Sequence, residues 1–186
     1  MADAGAWWQQ LSGSSQNVLR WAHAFAQVRS QTAFQPGQDS SSVVTGGEVD
    51  ALDVLAGLLI EHGQDSEPWD FFEHFGLPVG QFLHRSGVDP AALLAARDVS
   101  EREYPVPPIG SEVQAIVDYG IRSFASSDPE GLLSFKLLFG ALLDTPNVAS
   151  AGIAAALVAR GAPALDVVAS YREYATMRVD SGVSAS

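Results

Sequence analysis

The stretch "VDALDVLAGLLIEHG", Val49 to Gly63, decides the fold when it is set beside "LLSFKLLFGALLDTP", Leu132 to Pro146. Each is a run of aliphatic residues carrying one central glycine, Gly57 or Gly140. Neither alternates apolar and polar residues as a half-buried strand does. Both are apolar almost all round, the pattern of a helix buried on several sides. A mid-helix glycine costs about 1 kcal/mol relative to alanine, so each needs a reason. The reason read here is close helix packing: without a side chain, Gly57 and Gly140 let a neighbouring backbone approach.

Working outward, further landmarks recur in the same order. "VLRWAHAFA" from Val18 sets Trp21-Ala22 against Tyr119-Gly120, an offset of 98 residues. Gly57 stands against Gly140 at an offset of 83. "GLP" at Gly76 stands against "GAP" at Gly161 at an offset of 85. Gly87, in "RSGVDPAALL", is the other candidate partner for Gly161; Gly76 is preferred because it keeps the helix lengths similar. The first offset exceeds the second by 15 residues, which fall in the Ser-, Gly- and Gln-rich "QTAFQPGQDSSSVVTGG". That segment is read as a loop, where extra length costs little closure entropy.

Helices are predicted from about Ser15 to Arg29, through "EVDALDVLAGLLIEH", over "SEPWDFFEHFG" with Ser66 as cap and Gly76 as stop, over "LPVGQFLHRSG", and over "VDPAALLAARD". "VSEREYPVPPIG" is a linker, because its closely spaced prolines forbid a continuing helix. The second half restarts with "GSEVQAIVDYGIRSFASS", capped by Ser111. "DPEGLLSFKLLFGALLD" is read as one helix capped by Asp128. "NVASAGIAAALVARG" and "APALDVVASYREYATMR", with Pro163 in its first turn, complete the set. The fold class is all-α: two pseudo-repeated bundles of about four helices each, packed into one globular domain. Residues 1–13 form an N-terminal extension, 14–97 a first repeat plus linker helix, 98–109 a Pro-rich linker, 110–178 a second repeat and 179–186 a tail.

The charge balance narrows the partners. Acidic residues number 22 against 10 basic, a formal net charge of −12. Nucleic acid and anionic membranes need cationic surface, so neither is expected as a partner. Lys136 is the single lysine, and no Lys or Arg falls between Ser30 and His84. That acidic stretch reads as a solvated face, with a docking surface for a basic partner as the sharper alternative. The absence of cysteine excludes disulfides, thiolate metal sites and cysteine nucleophiles. The start "MADAGAWWQQL" has no basic and apolar signal pattern, and the expected compartment is the cytoplasm.

The ordered motifs resemble the double Clp repeat, the N-terminal domain of the Clp AAA+ unfoldases. "DVLAGLL" (Asp53 to Leu59) and "KLLFGAL" (Lys136 to Leu142) look like the family's L-L-L-G-L-L block. "FGLPVGQFL" and "RGAPALDVV" look like its L-G-V block and the start of its fourth helix. The likeness covers about Ser14 to Tyr174. It implies a protein-binding module that acts as adaptor, decoy or regulator, with a Clp ATPase or its substrates as partners. The glutamate of the family's G-T-E-H motif falls on Leu52 and Phe135. Neither can hold a guanidinium, which wants a carboxylate, so phosphoarginine reading is not carried over. No G-x-x-x-x-G-K-[ST] loop is present to cradle ATP. The implied partner groove lies between the repeats, on Leu52, Trp69, Phe72, Phe75, Phe135 and Phe139.

Catalytic signatures are weak, and no enzyme activity or cofactor is expected. His23, His62, His74 and His84 form no H-E-x-x-H motif, and Ser86 and Ser134 lie in no G-x-S-x-G elbow. Asp50 and Asp53, one turn apart, read as a solvated helix face. Trp69, Phe71, Phe72 and Phe75 read first as core at helical spacing and second as groove anchors. Trp7-Trp8 is a further anchor or simply packs back on the core. The alternative function is a small helical ligand- or metal-binding protein, or an enzyme, using the histidines and carboxylates between Glu61 and His84.

Overall fold

The aliphatic stretches form helices, and the all-α expectation holds. The computed structural model describes residues 6–32, 48–85, 106–161 and 167–180. Over these residues the helices are α1 (Gly13–Thr32), α2 (Ala51–Glu61), α3 (Glu67–His74), α4 (Val79–Arg85), α5 (Ser111–Phe124), α6 (Phe135–Asp144), α7 (Val148–Ala159) and α8 (Val167–Asp180). Among the described residues there is no strand, only two isolated parallel bridges. Most of the expected loop after α1, the "VDPAALLAARD" helix, most of the Pro-rich linker, Gly87, Pro163 and the tail from residue 181 lie outside the described residues; residues 31–32 belong to α1, and 179–180, expected in the tail, belong to α8. Among the described residues no single helix is long and apolar enough to cross a membrane.

Local chemistry sets most helix ends. The Asp53 N–H donates to Asp50 Oδ1 (3.0 Å) and the Asp50 N–H donates to Asp53 Oδ2 (3.1 Å), a reciprocal cap on α2. Asn147 and Ser150 do the same for α7. Ser66 Oγ accepts the Trp69 N–H to start α3. Gly76 (φ +60°) and Gly161 (φ +72°) stop α3 and α7 in the left-handed region that glycine enters without strain.

Two expected starts are displaced by tertiary contacts. Ser111 is the first residue of α5, not its cap. Gly110 takes the cap position and its N–H donates to the Val49 carbonyl (3.2 Å). Asp128 starts no helix either. Its carboxylate accepts the Glu130 N–H, Gly131 turns the chain at φ +69°, and α6 begins only at Phe135. Leu133, between them, is committed to a bridge with Leu11.

The bridges are reciprocal. Leu11, ahead of α1, pairs with Leu133, ahead of α6; Val49, ahead of α2, pairs with Ile109, ahead of α5. The Ser12 N–H donates to the Leu133 carbonyl at 3.2 Å, as Gly110 does to Val49. Ser12 to Gly110 is 98 residues, and Val49 to Leu133 is 84. The lead-in to one half therefore pairs with the middle of the other. A single core cluster crosses both halves, from Leu11 and Leu19 through Phe71 and Phe72 to Leu138, Phe139 and Ile153, with Val167 and Tyr174 closing it. Each fully buried leucine or phenylalanine in it contributes roughly 1.5–3 kcal/mol of transfer free energy.

The two diagnostic glycines differ. A Cβ built at Gly57 would lie 2.6 Å from the Val18 carbonyl oxygen, so α1 and α2 meet there backbone to backbone. At Gly140 the nearest atom is Tyr171 Cε1 at 4.0 Å, an ordinary van der Waals contact that a Cβ would make without strain. Its expected packing role is corrected. Measured from the helix starts, Ala51 to Phe135 is 84 residues, so Gly57 stands level with Ala141 and not with Gly140. The close approach in the second half is made instead by Gly120, whose Cβ would sit 3.0 Å from Ala141 Cβ. Gly57→Ala is expected to lose about 1–3 kcal/mol by overpacking. Gly140→Ala is expected to gain up to about 1 kcal/mol from helix propensity. Urea unfolding of the two variants checks both signs.

Candidate functional site

The expected groove does not survive as a surface. Phe72 and Phe139 are fully buried and Phe135 nearly so. Phe71 is the reason: its ring is the hub of an aromatic cluster. Phe139 lies 5.7 Å from it, Phe75 5.1 Å, and Tyr171 and Tyr174 5.8 Å each, all edge-on or tilted. Phe72 turns the other way, onto Phe82 at 5.0 Å. Only Leu52, Trp69 and Phe75 keep partial exposure. Trp7 and Trp8 pack on the core, with Arg20 lying over the Trp8 ring at 5.5 Å.

The carboxylate pair is also not a solvated face. Asp53 is fully buried, and Arg29 donates to both its oxygens at 2.7 and 2.8 Å. Arg29 occupies an apolar-spaced position of α1 because its guanidinium closes this pair across the α1–α2 contact. Burial pushes the Asp53 carboxyl up to about 7, and the Asp50 carboxylate adds to the rise. The Asp50 N–H and Arg29 oppose it. His23 is buried, and burial lowers its imidazole's affinity for a proton. His62, His74 and His84 are exposed. His62 stands edge-on to Phe135 at 4.7 Å, and His74 packs on Phe75. Among the described residues no three His, Asp or Glu side chains converge in a way that could hold a metal ion.

Glu112 of α5 was not visible in the sequence as a functional or structural residue. Its Oε2 accepts the Ala51 N–H (3.3 Å) and its Oε1 the Val148 N–H (3.0 Å). One carboxylate thereby serves the N-termini of α2 and α7 at once. Counting 98 residues back from Glu112 reaches Ser14. Ser14 lines a cleft of about 650 Å³ where α1, α3 and α6 begin, with Ser12, His62, Glu67, Ser134 and Phe135.

A second cleft, of about 320 Å³, lies between α6 and α8. Leu137 and Gly140 form one side, Val168 and Tyr171 the other, and Phe124 closes an end. Lys136, Arg172, Glu67 and Asp144 stand around it. The Tyr171 hydroxyl donates to Glu67, and the Tyr119 hydroxyl donates to Asp144. The bond to Asp144 holds the Tyr119 phenol above its usual range. Lys136 Nζ pairs with Glu67 Oε2 at 3.7 Å. Of this cleft the sequence reading named Gly140, and Lys136 for its charge, but placed neither in a site. An unexplained glycine inside an apolar helix was the one signal for it.

Comparison with protein-family models, with curated proteins and with solved structures finds no match to this chain.

The raised Asp53 value sets a pH dependence. The folded chain holds that proton where the unfolded chain has lost it. Its stabilisation is complete below about pH 4 and is lost as pH rises through about 7. Asp53→Asn keeps a hydrogen-bonding side chain but does not titrate. The unfolding free energy of the parent minus that of Asp53→Asn is expected to fall by at least about 1 kcal/mol between pH 5 and pH 8. A flat difference in chemical unfolding would contradict this.

Proposed function

We propose that this chain is a non-catalytic protein-interaction module of the kind the Clp resemblance implies. It is a docking domain, and it serves a Clp-type protease system as adaptor, decoy or regulator. The observation that carries the reading is the reciprocity of the two halves. Ser12 to Leu133 and Gly110 to Val49 are the same backbone hydrogen bond, made once in each direction. Duplicated, interlocked helical halves are what the ordered motifs imply. The third helices end alike as well, at Gly76 and Gly161. A net charge of −12 favours a protein partner over nucleic acid.

The ligand- or metal-binding alternative has less support. Its histidines face solvent singly, and two of the carboxylates near them are engaged elsewhere. Glu61 accepts from Asn17 and Trp21, and Glu67 accepts from Tyr171.

Two experiments test the proposal. Pull-down from host lysate with the full chain is expected to recover a Clp-type ATPase, its peptidase or their substrates. The control is an acidic protein of similar size, and recovery of none of them beyond that control would overturn the reading. Calorimetric titration with phosphoarginine is expected to give no saturable heat. Leu52 and Phe135 offer no carboxylate, and Phe135 is covered by His62. A micromolar isotherm would overturn that expectation.

A further inference from the structure

Gly140 has neither of the usual reasons for a glycine inside a helix. Its φ is not positive, and a Cβ there would meet only Tyr171 Cε1, at an unstrained 4.0 Å. The helix-propensity cost of about 1 kcal/mol is therefore borne without gain in packing. What the missing side chain leaves open is the α6–α8 cleft, whose floor is Gly140 and Leu137. Phe124, Leu137 and Tyr171 pack on the core yet stay partly exposed, and with Val168 they line this space.

The rim decides what the cleft can hold. Lys136 and Arg172 stand around it against Glu67 and Asp144, so its formal charges cancel. All four are already engaged. Glu67 accepts the Tyr171 hydroxyl and pairs with Lys136 at 3.7 Å, Asp144 accepts the Tyr119 hydroxyl, and Arg172 has a partner as well. A charged ligand would meet no uncompensated countercharge here and would lose hydration without return. A peptide crossing the rim would likewise leave backbone N–H and C=O groups unpaired. What remains favourable is apolar contact. Two of the four apolar lining residues, Phe124 and Tyr171, are aromatic, so a ring gains contacts here beyond its buried area. About 320 Å³ is at the small end of ligand pockets and suits a molecule of one or two rings.

We propose that the Gly140 cleft binds a free, uncharged aromatic molecule of one or two rings, seated over Gly140 between α6 and α8. The site uses none of the histidines of the ligand-binding alternative, and its occupancy does not depend on the interaction-module reading.

The test uses the full chain, labelled with nitrogen-15, and indoles that share one ring system: 3-methylindole, which is neutral, indole-3-acetate, an anion, and tryptamine, a cation. Titration followed by NMR is expected to show saturable binding of 3-methylindole with Kd below about 1 mM. The shift changes are expected at the Gly140, Val168 and Tyr171 amides and not at Gly57. Both charged indoles are expected to bind at least about fivefold more weakly. The peptide Ser-Gly-Trp-Gly-Ser, acetylated and amidated, carries the same ring on a backbone and is expected to bind at least about tenfold more weakly. Gly140→Leu fills the floor of the cleft and is expected to abolish binding while its other amides keep the parent's shifts. If the leucine variant does not fold, Gly140→Ala decides, with an expected weakening of at least about twofold. No saturable binding of 3-methylindole, shift changes centred away from the cleft, equal binding of either charged indole, or undiminished binding by the folded variant would each overturn the proposal. A peptide that binds as tightly as 3-methylindole would give the cleft to a partner's side chain and overturn it too. The lysate pull-down bears on the module reading alone, so the two fail separately.

Discussion

Backbone hydrogen bonds running in opposite directions tie the two halves of the chain together, and the Leu133 N–H adds a bond to the Gln10 carbonyl at 2.8 Å. The Ser12 N–H reaches the Leu133 carbonyl, and the Gly110 N–H reaches the Val49 carbonyl. Each ties the residue before one half's first helix to the residue before the other half's second helix. Ser15 Oγ adds a buried bond to the same Leu133 carbonyl at 2.8 Å. These links are short, and each fixes the starting point of two helices. Neither half can place its own second helix without the other, since that helix's lead-in is paired across. The shared core spans the same two halves: Leu19, Leu59, Phe71 and Phe139 belong to one buried cluster.

The polar groups near the crossings act as alignment devices. Glu112 couples the start of α2 to the start of α7, and Asp53 with Arg29 couples α2 to α1. Asp53 is buried, where a carboxylate is costly unless its oxygens are satisfied, so its pairing fixes helix register more than it adds stability. The aromatic hub at Phe71 then draws α3, α6 and α8 together. The cleft at Gly140 is left over where α8 leans on α6 without a side chain to meet it.

Much of this was legible in the residues. The apolar runs around Gly57 and Gly140, the Ser66 start and the Gly76 and Gly161 stops are local signals with local causes, and they led to the right elements. What was illegible came from across the chain. Asp128 followed by Pro129 reads as a helix start, but Leu133 is held extended by Leu11, and no local pattern carries that. Asp53 reads as surface because its partner Arg29 is 24 residues away. Phe72, read first as core, and Phe139 were both placed on the implied groove, since helical spacing gives the face but not what covers it. The alignment of Gly57 with Gly140 was off by a single position. That shift was enough to move the true close approach to Gly120 and Ala141 and to hide the cleft.

The most direct measurement of the central claim is native-state hydrogen exchange at the Ser12, Gly110 and Leu133 amides. If the crossings hold both halves as one unit, all three exchange only through global unfolding, with the same opening free energy as the buried amides of α2 and α6. If any of the three opens at markedly lower free energy while α2 and α6 stay protected, the halves stand independently and the account fails.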